Sequence, residues 1–235
     1  MRRGVAAWTF VAPALVALGV FFFLPIVAAL LLSFTDFDLY ALADLHNLRF
    51  VGLGNYLTLA KTPLFWQVLA NTVEFVVLGV PLSIATSLGA ALLINSKLAR
   101  FKGLFRTIFF APVVTTLVAV AVIWRYLFNT QFGVINWLLG LIGLGPIDWL
   151  GSPHWAMPAI VVFAVWKNFG YNMIILLAGL QTIPDELYEA ARIDGAGPLA
   201  QFRHVTLPAL APVMLVVSIL TMAAYFQLFA EPYVM

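Results

Sequence analysis

The chain has 235 residues, of which 63% are hydrophobic and only 9% are charged, and its mean hydropathy is +1.03. An ordinary soluble domain carries about 25% charged residues, so this composition excludes a soluble globular protein and predicts an integral membrane protein. The lack of cysteine excludes disulfides, thiolate metal sites and cysteine nucleophiles. The formal net charge of +2 says little about partners, because we interpret the basic residues as topology signals. We expect no nucleic-acid partner.

The apolar segments predict membrane-spanning α-helices, because backbone polar groups in lipid must be satisfied internally and the alternating pattern of a barrel is absent. A bilayer core of about 30 Å needs roughly 20 apolar residues per helix. Hydropathy predicts one membrane domain over residues 1–235, and its five spans are about 8–33, 69–94, 107–127, 155–180 and 205–229. The first apolar run is too long for a cleaved signal peptide. The chain stops without a closing basic cluster, which predicts that a sixth span is missing at the C-terminal end.

The distribution of Lys and Arg predicts a cytoplasmic N-terminus, because this orientation places eight of them inside and three outside. The eight are Arg2, Arg3, Lys97, Arg100, Lys102, Arg106, Arg192 and Arg203. The three are Arg49, Lys61 and Arg125. This orientation places residues 181–204 in the cytoplasm, and the expected location is the cytoplasmic membrane of a prokaryote.

The cytoplasmic segment combines a charged helix with clear end signals. Pro184 suits the first position of a helix, and the two acidic residues that follow it favour the helix dipole. The helix is predicted to reach about Asp194 and to end at Gly195, before a second helix begins at Gly197–Pro198. By periodicity alone, an ordinary loop and a docking site are equally good interpretations.

The residues themselves favour docking. The sequence has Glu-Ala-Ala at 189–191 and, after three residues, Gly195. Nine more residues lead to Val205, any residue, Leu207 and Pro208. This pattern resembles the EAA loop of ABC importer permeases. Val205 stands where that family usually has isoleucine. The strings SFTDF, FVGLGNY and FRTIFFAPVV extend the resemblance to the permease subunits of binding-protein-dependent sugar importers, similar to those for maltose and glycerol 3-phosphate.

The resemblance implies an all-α, polytopic membrane helix bundle in which the segment 184–194 docks on a separate ATPase. Glu189 would contact the ATPase, Ala190 and Ala191 would allow close approach, and Gly195 would form the turn. The implied coupling residues are Glu189, Ala190, Ala191, Arg192, Asp194, Gly195, Leu207 and Pro208. The implied partners are a second permease, two ATPase subunits, an extracytoplasmic binding protein, a carbohydrate and membrane lipid. The sequence has no GxxxxGK[ST] phosphate loop, no set of catalytic residues and no metal-ligand spacing. We therefore expect that this chain is not an enzyme and that ATP and Mg bind to the partner ATPase.

Polar residues inside spans are functional hypotheses by default, and the fourth span contains Lys167, Asn168, Tyr171 and Asn172. Amide and hydroxyl groups beside aromatic rings suit a sugar. The resemblance adds positions on the helix after the EAA loop: Thr221, Tyr225, Gln227 and Leu228.

Two alternatives remain at this stage. The polar groups can instead hydrogen-bond between helices, as they often do in membrane bundles. Lys167 can pair with Glu74 or meet an anionic substrate, and it is the one feature that favours a secondary transporter or channel subunit, which would need no ATPase.

Overall fold

The structure is a computed structural model that describes residues 2–38, 48–96 and 99–235, with side chains from residue 8 onward. Lys97 and part of the loop predicted at 34–68 lie outside the described residues. The chain divides into two compact units, Met1–Leu69 and Ala70–Met235. Within the described residues there is no β-strand, and the all-α fold class is confirmed.

The first unit begins with a long apolar helical segment. Helix α1 (Arg2–Leu18) continues through a π-helical turn into α2 (Leu24–Leu32), and a shorter helix, α3 (Gly54–Lys61), follows. The stretch Trp8–Leu32 is long and apolar enough to cross a membrane.

The strings SFTDF and FVGLGNY fold against each other in this unit. Thr35 and Phe50 form an isolated antiparallel bridge. The Asn55 amide nitrogen donates to the carbonyl oxygens of Ser33 and Thr35 at 2.9 and 2.8 Å, and the Tyr56 and Ser33 hydroxyls lie 2.6 Å apart. These bonds fix the exit of the first span to the start of α3.

The remaining helices follow in chain order. They are α4 (Pro63–Asn95), α5 (Lys102–Val114), α6 (Leu117–Leu127), α7 (Val134–Leu141), α8 (Pro153–Gln181), α9 (Asp185–Ile193), α10 (Pro198–Gln201), α11 (Leu207–Phe226) and α12 (Ala230–Val234). A π-helical turn, Phe202–Thr206, joins α10 to α11. Four helical segments in the described chain can cross a membrane by length and composition, or five if α5 and α6 count as one span.

The segment predicted as a single span at 107–127 differs most from its prediction. Helices α5 and α6 meet at about 100°, with Thr115 and Thr116 extended between them. Four consecutive β-branched residues (113–116) follow Pro112, and the Thr115 hydroxyl donates to the Pro112 carbonyl at 2.6 Å. Both features weaken a helix, so the chain turns here.

Helix α8 is the centre of the second unit, and it packs most extensively against α5 and then α11. One core cluster joins α4, α8 and α11 around the fully buried Met173, Leu176 and Leu210. A second cluster joins the same three helices around Phe75, Ala164 and Tyr225. Three helices are therefore held together along two stretches of α8.

The segment after α6 is held in a fixed shape by one buried amide. Asn136 is 8% exposed, and its amide nitrogen donates to the carbonyl oxygens of Thr130 and Ile147 at 3.1 and 2.9 Å. Its oxygen accepts from the Ile147 N–H at 3.1 Å and from the Trp149 indole N–H at 2.9 Å. Since a buried amide with all these bonds has few alternative positions, residues 129–149 form an ordered loop.

Candidate functional site

Helix α9 has clear caps at both ends. Pro184 is the N-cap residue, with ψ of 135°, so its prediction as the first helical residue is wrong: its extended ψ places it just outside the helix. At the other end Gly195 has φ of +79°, its N–H donates to the Arg192 carbonyl, and the Ala196 N–H donates to the Ala191 carbonyl at 2.8 Å. This is a Schellman motif, which requires the left-handed conformation that glycine adopts without strain.

One face of α9 is anchored to the membrane-spanning helices. Tyr188 packs on the core cluster of α4, α8 and α11, and its hydroxyl lies 3.0 Å from that of the buried Thr206. Val205 and Leu207, which belong to the proposed EAA pattern, pack against the same cluster. Any force on α9 is therefore passed directly to α8 and α11.

Most of the other side chains of α9 are exposed, as is Leu199 of the following helix α10. Glu189 and Arg192 lie 3.8 Å apart with side chains 64% and 58% exposed, and Ala190 between them is also exposed. Ile193 is 86% exposed and Leu199 is 79% exposed. Sequence reasoning missed these two aliphatic side chains, although an apolar residue in a charged, water-facing segment is a signal of a contact surface.

The other predicted coupling residues differ in exposure. Ala191 and Leu207 are half-buried, while Asp194, Gly195 and Pro208 are exposed. The structure thus leaves Glu189, Ala190 and Arg192 exposed on α9, and Leu207 packs against the core cluster.

Four of the candidate substrate residues on α8 and α11 are buried: Lys167, Asn172, Thr221 and Tyr225. Asn172, 4% exposed, donates to the Thr221 hydroxyl at 2.9 Å and to the Ser83 hydroxyl at 3.3 Å. This network joins α8, α11 and α4. Sequence reasoning missed Ser83, because a serine in an apolar helix has no distinctive sequence signal.

Tyr225 extends this polar cluster by one turn of α11. Its ring is 2% exposed, lies 5.0 Å from the Phe75 ring and covers Gly79. Its hydroxyl is buried near the side chains of Ser83 and Asn168, but among the described residues it forms no hydrogen bond of normal geometry. A buried hydroxyl without a partner costs free energy, so this position suits a water molecule or a ligand hydroxyl.

The other candidates are more accessible. Tyr171 is 49% exposed, and Asn168 is half-buried, with its amide nitrogen donating to the Ala164 carbonyl of its own helix at 3.0 Å. Gln227 is the exposed C-cap residue of α11, and Leu228 packs beside Tyr225. Asn168 and Tyr171 are thus the least buried of the candidate side chains on α8.

Lys167 does not form the expected ion pair with Glu74 within the described residues. Its ammonium donates to the carbonyl oxygens of Pro112, Val113 and Thr115 at 2.6, 3.2 and 3.1 Å. Glu74 is exposed on α4. Since an ammonium has three N–H donors, none is left for Glu74 or for an anionic substrate.

These observations define a class: a multi-pass helical membrane protein with a short, capped, exposed helix and a polar cluster inside its bundle. The family described as "Binding-protein-dependent transport system inner membrane component" matches residues 79–235. The chain belongs to this family. It is therefore a membrane permease, and in this class of transporter ATP is hydrolysed by a separate ATPase.

Named relatives support the same class. The lactose transport system permease protein LacF of Rhizobium radiobacter is 42% identical over 97% of this chain and 75% of its own length. The trehalose/maltose transport system permease protein MalF of Thermococcus litoralis is 35% identical over 100% of this chain and 78% of its own length. A chain of a bacterial ABC transporter that imports the acidic polysaccharide alginate superimposes with a TM-score of 0.76 at 22% identity, over 97% of this chain and 75% of that chain. At that identity the likeness shows the fold.

Proposed function

We propose that this permease forms one half of the substrate path in an ATP-driven importer of a carbohydrate. A second permease completes the path, two ATPase subunits hold ATP and Mg, and an extracytoplasmic binding protein delivers the sugar. The relatives named for lactose and for trehalose or maltose support a carbohydrate. The observation that carries the proposal is α9, which is largely exposed and is fixed to the transmembrane core through Tyr188.

Helix α9 acts as the coupling helix in this proposal. Its exposed residues Glu189, Arg192 and Ile193, with the exposed Leu199 of the next helix α10, offer both charge and apolar area to an ATPase. Because Tyr188 and Leu207 join α9 to the core, movement of the ATPase subunits moves α8 and α11 as rigid bodies.

The substrate contacts divide into two kinds. Asn168 and Tyr171 touch the sugar directly, together with Gln227 and Leu228 at the end of α11. The hydrogen bond between Asn172 and Thr221, with Tyr225 beside it, fixes α8 and α11, the helices that carry these contact residues. The Lys167 ammonium is fully occupied by carbonyl oxygens, so these residues contact the sugar through neutral groups.

The loops 34–68 and 129–154 face the binding protein when the N-terminus is cytoplasmic. The ordered loop held by Asn136 suits this role, because a preorganised surface loses less conformational entropy on binding. Trp137 and Phe132 are exposed on it and offer aromatic contact area.

The first test is assembly and transport. Affinity purification of the chain from its native membrane should co-isolate a second permease and an ATPase with a phosphate loop, as identified by mass spectrometry. In proteoliposomes, the sugar-loaded binding protein should stimulate ATP hydrolysis and sugar uptake, and the unloaded protein should do so less. Sugar uptake that continues without any ATPase would contradict the proposal.

A substrate contact by Tyr171 predicts a change in affinity without a change in assembly. Replacing Tyr171 with phenylalanine removes one hydroxyl, and a lost hydrogen bond of about 0.5–1.5 kcal/mol raises the half-saturating sugar concentration by roughly two- to twelvefold. Tyr126, 64% exposed on α6, provides the matched control: Tyr126→Phe should leave uptake unchanged. Equal uptake curves for Tyr171→Phe and wild type would exclude the Tyr171 hydroxyl as a ligand.

A further inference from the structure

The break between α5 and α6 leaves backbone carbonyl groups without their helical donors. In a continuous helix, the carbonyl oxygens of Pro112, Val113 and Thr115 would accept from N–H groups four residues later. The chain turns by about 100° at Thr115 and Thr116, so those donors are removed. A carbonyl group that lacks a donor is unfavourable inside a membrane protein, because no water is available to bond it.

The Pro112 carbonyl already accepts from the Thr115 hydroxyl, and the side chain of Lys167 adds a donor to it and to the Val113 and Thr115 carbonyl oxygens. This side chain projects from the central residue of the 29-residue helix α8, is 7% exposed, and bonds the carbonyl oxygens of Pro112, Val113 and Thr115 at 2.6, 3.2 and 3.1 Å. Three acceptors require three N–H donors, which only the protonated amine provides. The positive charge also lies at the C-terminal end of α5, where the helix dipole favours a cation.

A second contact, one turn along α8, holds the same two helices together. A Cβ atom placed on Gly170 would lie 2.0 Å from the Phe109 carbonyl oxygen and 3.1 Å from the Phe110 Cα, so the two backbones touch here. Gly170 and Lys167 are three residues apart and share a face of α8. The glycine sets the separation of the helices, and the lysine bonds the corner of α5.

No carboxylate of the described residues bonds the Lys167 ammonium. Among the described residues the one ion pair is between Glu189 and Arg192, on the exposed face of α9. Glu231 in α12 acts on Lys167 through space but forms no ion pair with it. The bonded partners of the buried ammonium are therefore backbone carbonyl oxygens.

We propose that Lys167 is a positioning residue, a tethered cation that caps the carbonyl end of α5 and fixes the α5–α6 corner on α8. It is neither a substrate ligand nor the counter-ion of an acidic side chain. The corner and α8 consequently move as one body, and the corner keeps a fixed distance from Asn168 and Tyr171.

The direct test uses the wild-type protein. In a membrane sample with 15Nζ-labelled lysine and 13C′-labelled proline, solid-state NMR should show dipolar dephasing from a nitrogen–carbon pair less than about 4 Å apart, as hydrogen-bond geometry requires. Lys167→Arg should remove this dephasing. Its absence in wild type, or its persistence in Lys167→Arg, would overturn the proposal.

The second test measures hydrogen exchange by mass spectrometry in the reconstituted importer. Lys167→Met keeps the length of the side chain but removes its donors, so exchange of the amides at 116–120 should rise at least about tenfold. Lys167→Arg retains the charge and should change it by less than about threefold. Glu231→Gln is the control and should change nothing at these amides. Equal exchange in the Met and Arg variants, or an effect of Glu231→Gln as large as that of Lys167→Met, would contradict the proposal.

Measurements of sugar uptake distinguish a positioning role of Lys167 from direct contact with the substrate. Lys167→Met should lower the maximal rate of sugar uptake at least about tenfold and leave the half-saturating sugar concentration within about threefold of wild type. A raised half-saturating concentration with an unchanged maximal rate would instead identify Lys167 as a ligand. If the Met variant does not accumulate, the NMR measurement and the exchange of the Arg variant still decide.

Discussion

Gly170→Ala is expected to destabilise the permease strongly, although it adds a single methyl group. The new Cβ would lie 2.0 Å from the Phe109 carbonyl oxygen and 2.8 Å from its carbon, and both are backbone atoms that cannot rotate away. The helices α5 and α8 must then separate, which also lengthens the bonds from Lys167 to the corner. Overpacking of this kind costs about 1–3 kcal/mol or more, which corresponds to a fall of roughly 5–10 °C in the midpoint of thermal unfolding.

The matched control is Gly89→Ala. Gly89 also lies inside a long helix, α4, but no atom lies within 4 Å of the position of its Cβ. Since alanine is the better helix former by about 1 kcal/mol, this substitution should leave the midpoint unchanged or raise it slightly. Both midpoints can be measured on the solubilised complex by intrinsic fluorescence. If the two variants have the same midpoint of thermal unfolding, the close approach of α5 and α8 is not present in the protein.

Gly170 illustrates what the sequence could and could not predict. Composition and hydropathy predicted a helical membrane protein, because the cost of burying polar groups in lipid is visible residue by residue. The end of α9 was also predictable, because glycine readily adopts the left-handed φ that a Schellman motif requires. Gly195 has this φ in the structure. A glycine that allows two helices to touch looks like any other glycine until its neighbour across the bundle is known.

The corner at Thr115 and Thr116 was missed for a similar reason. The segment from Ile108 to Trp124 is apolar except for these two threonines, so hydropathy gives one continuous span. Proline is common in membrane helices and does not by itself predict a break. The partners of Lys167 are carbonyl oxygens, which every residue carries, and sequence reasoning therefore searched for a carboxylate and chose Glu74.

The polar face of α8 was predicted only in part. Asn168, Tyr171 and Asn172 share one side of the helix by periodicity, but that side is wide enough to contain both a buried and an exposed position. Asn172 faces Thr221 and Ser83, whereas Tyr171 is 49% exposed. Which residue bonds between helices and which can reach a solute depends on the packing of α4 and α11.

Glu189→Lys is expected to abolish sugar uptake without unfolding the permease. The Glu189 side chain is 64% exposed, and its pair with Arg192 is at 3.8 Å. An exposed pair of this kind contributes about 0.2–1 kcal/mol at most, so its loss should shift the thermal midpoint by no more than a few degrees. If α9 docks on the ATPase, however, reversing a charge inside that interface costs about 2–5 kcal/mol, and uptake should fall at least about thirtyfold.

The double variant Glu189→Arg with Arg192→Glu separates these two roles of the charge. It keeps an oppositely charged pair three residues apart on α9 but exchanges the positions that an ATPase would meet. If Glu189 acts on the ATPase, the double variant should transport as poorly as Glu189→Lys and should co-isolate less ATPase than wild type. Recovery of uptake by the exchange would show that only the pair within α9 matters, and coupling would then have to pass through the exposed Ile193 and Leu199.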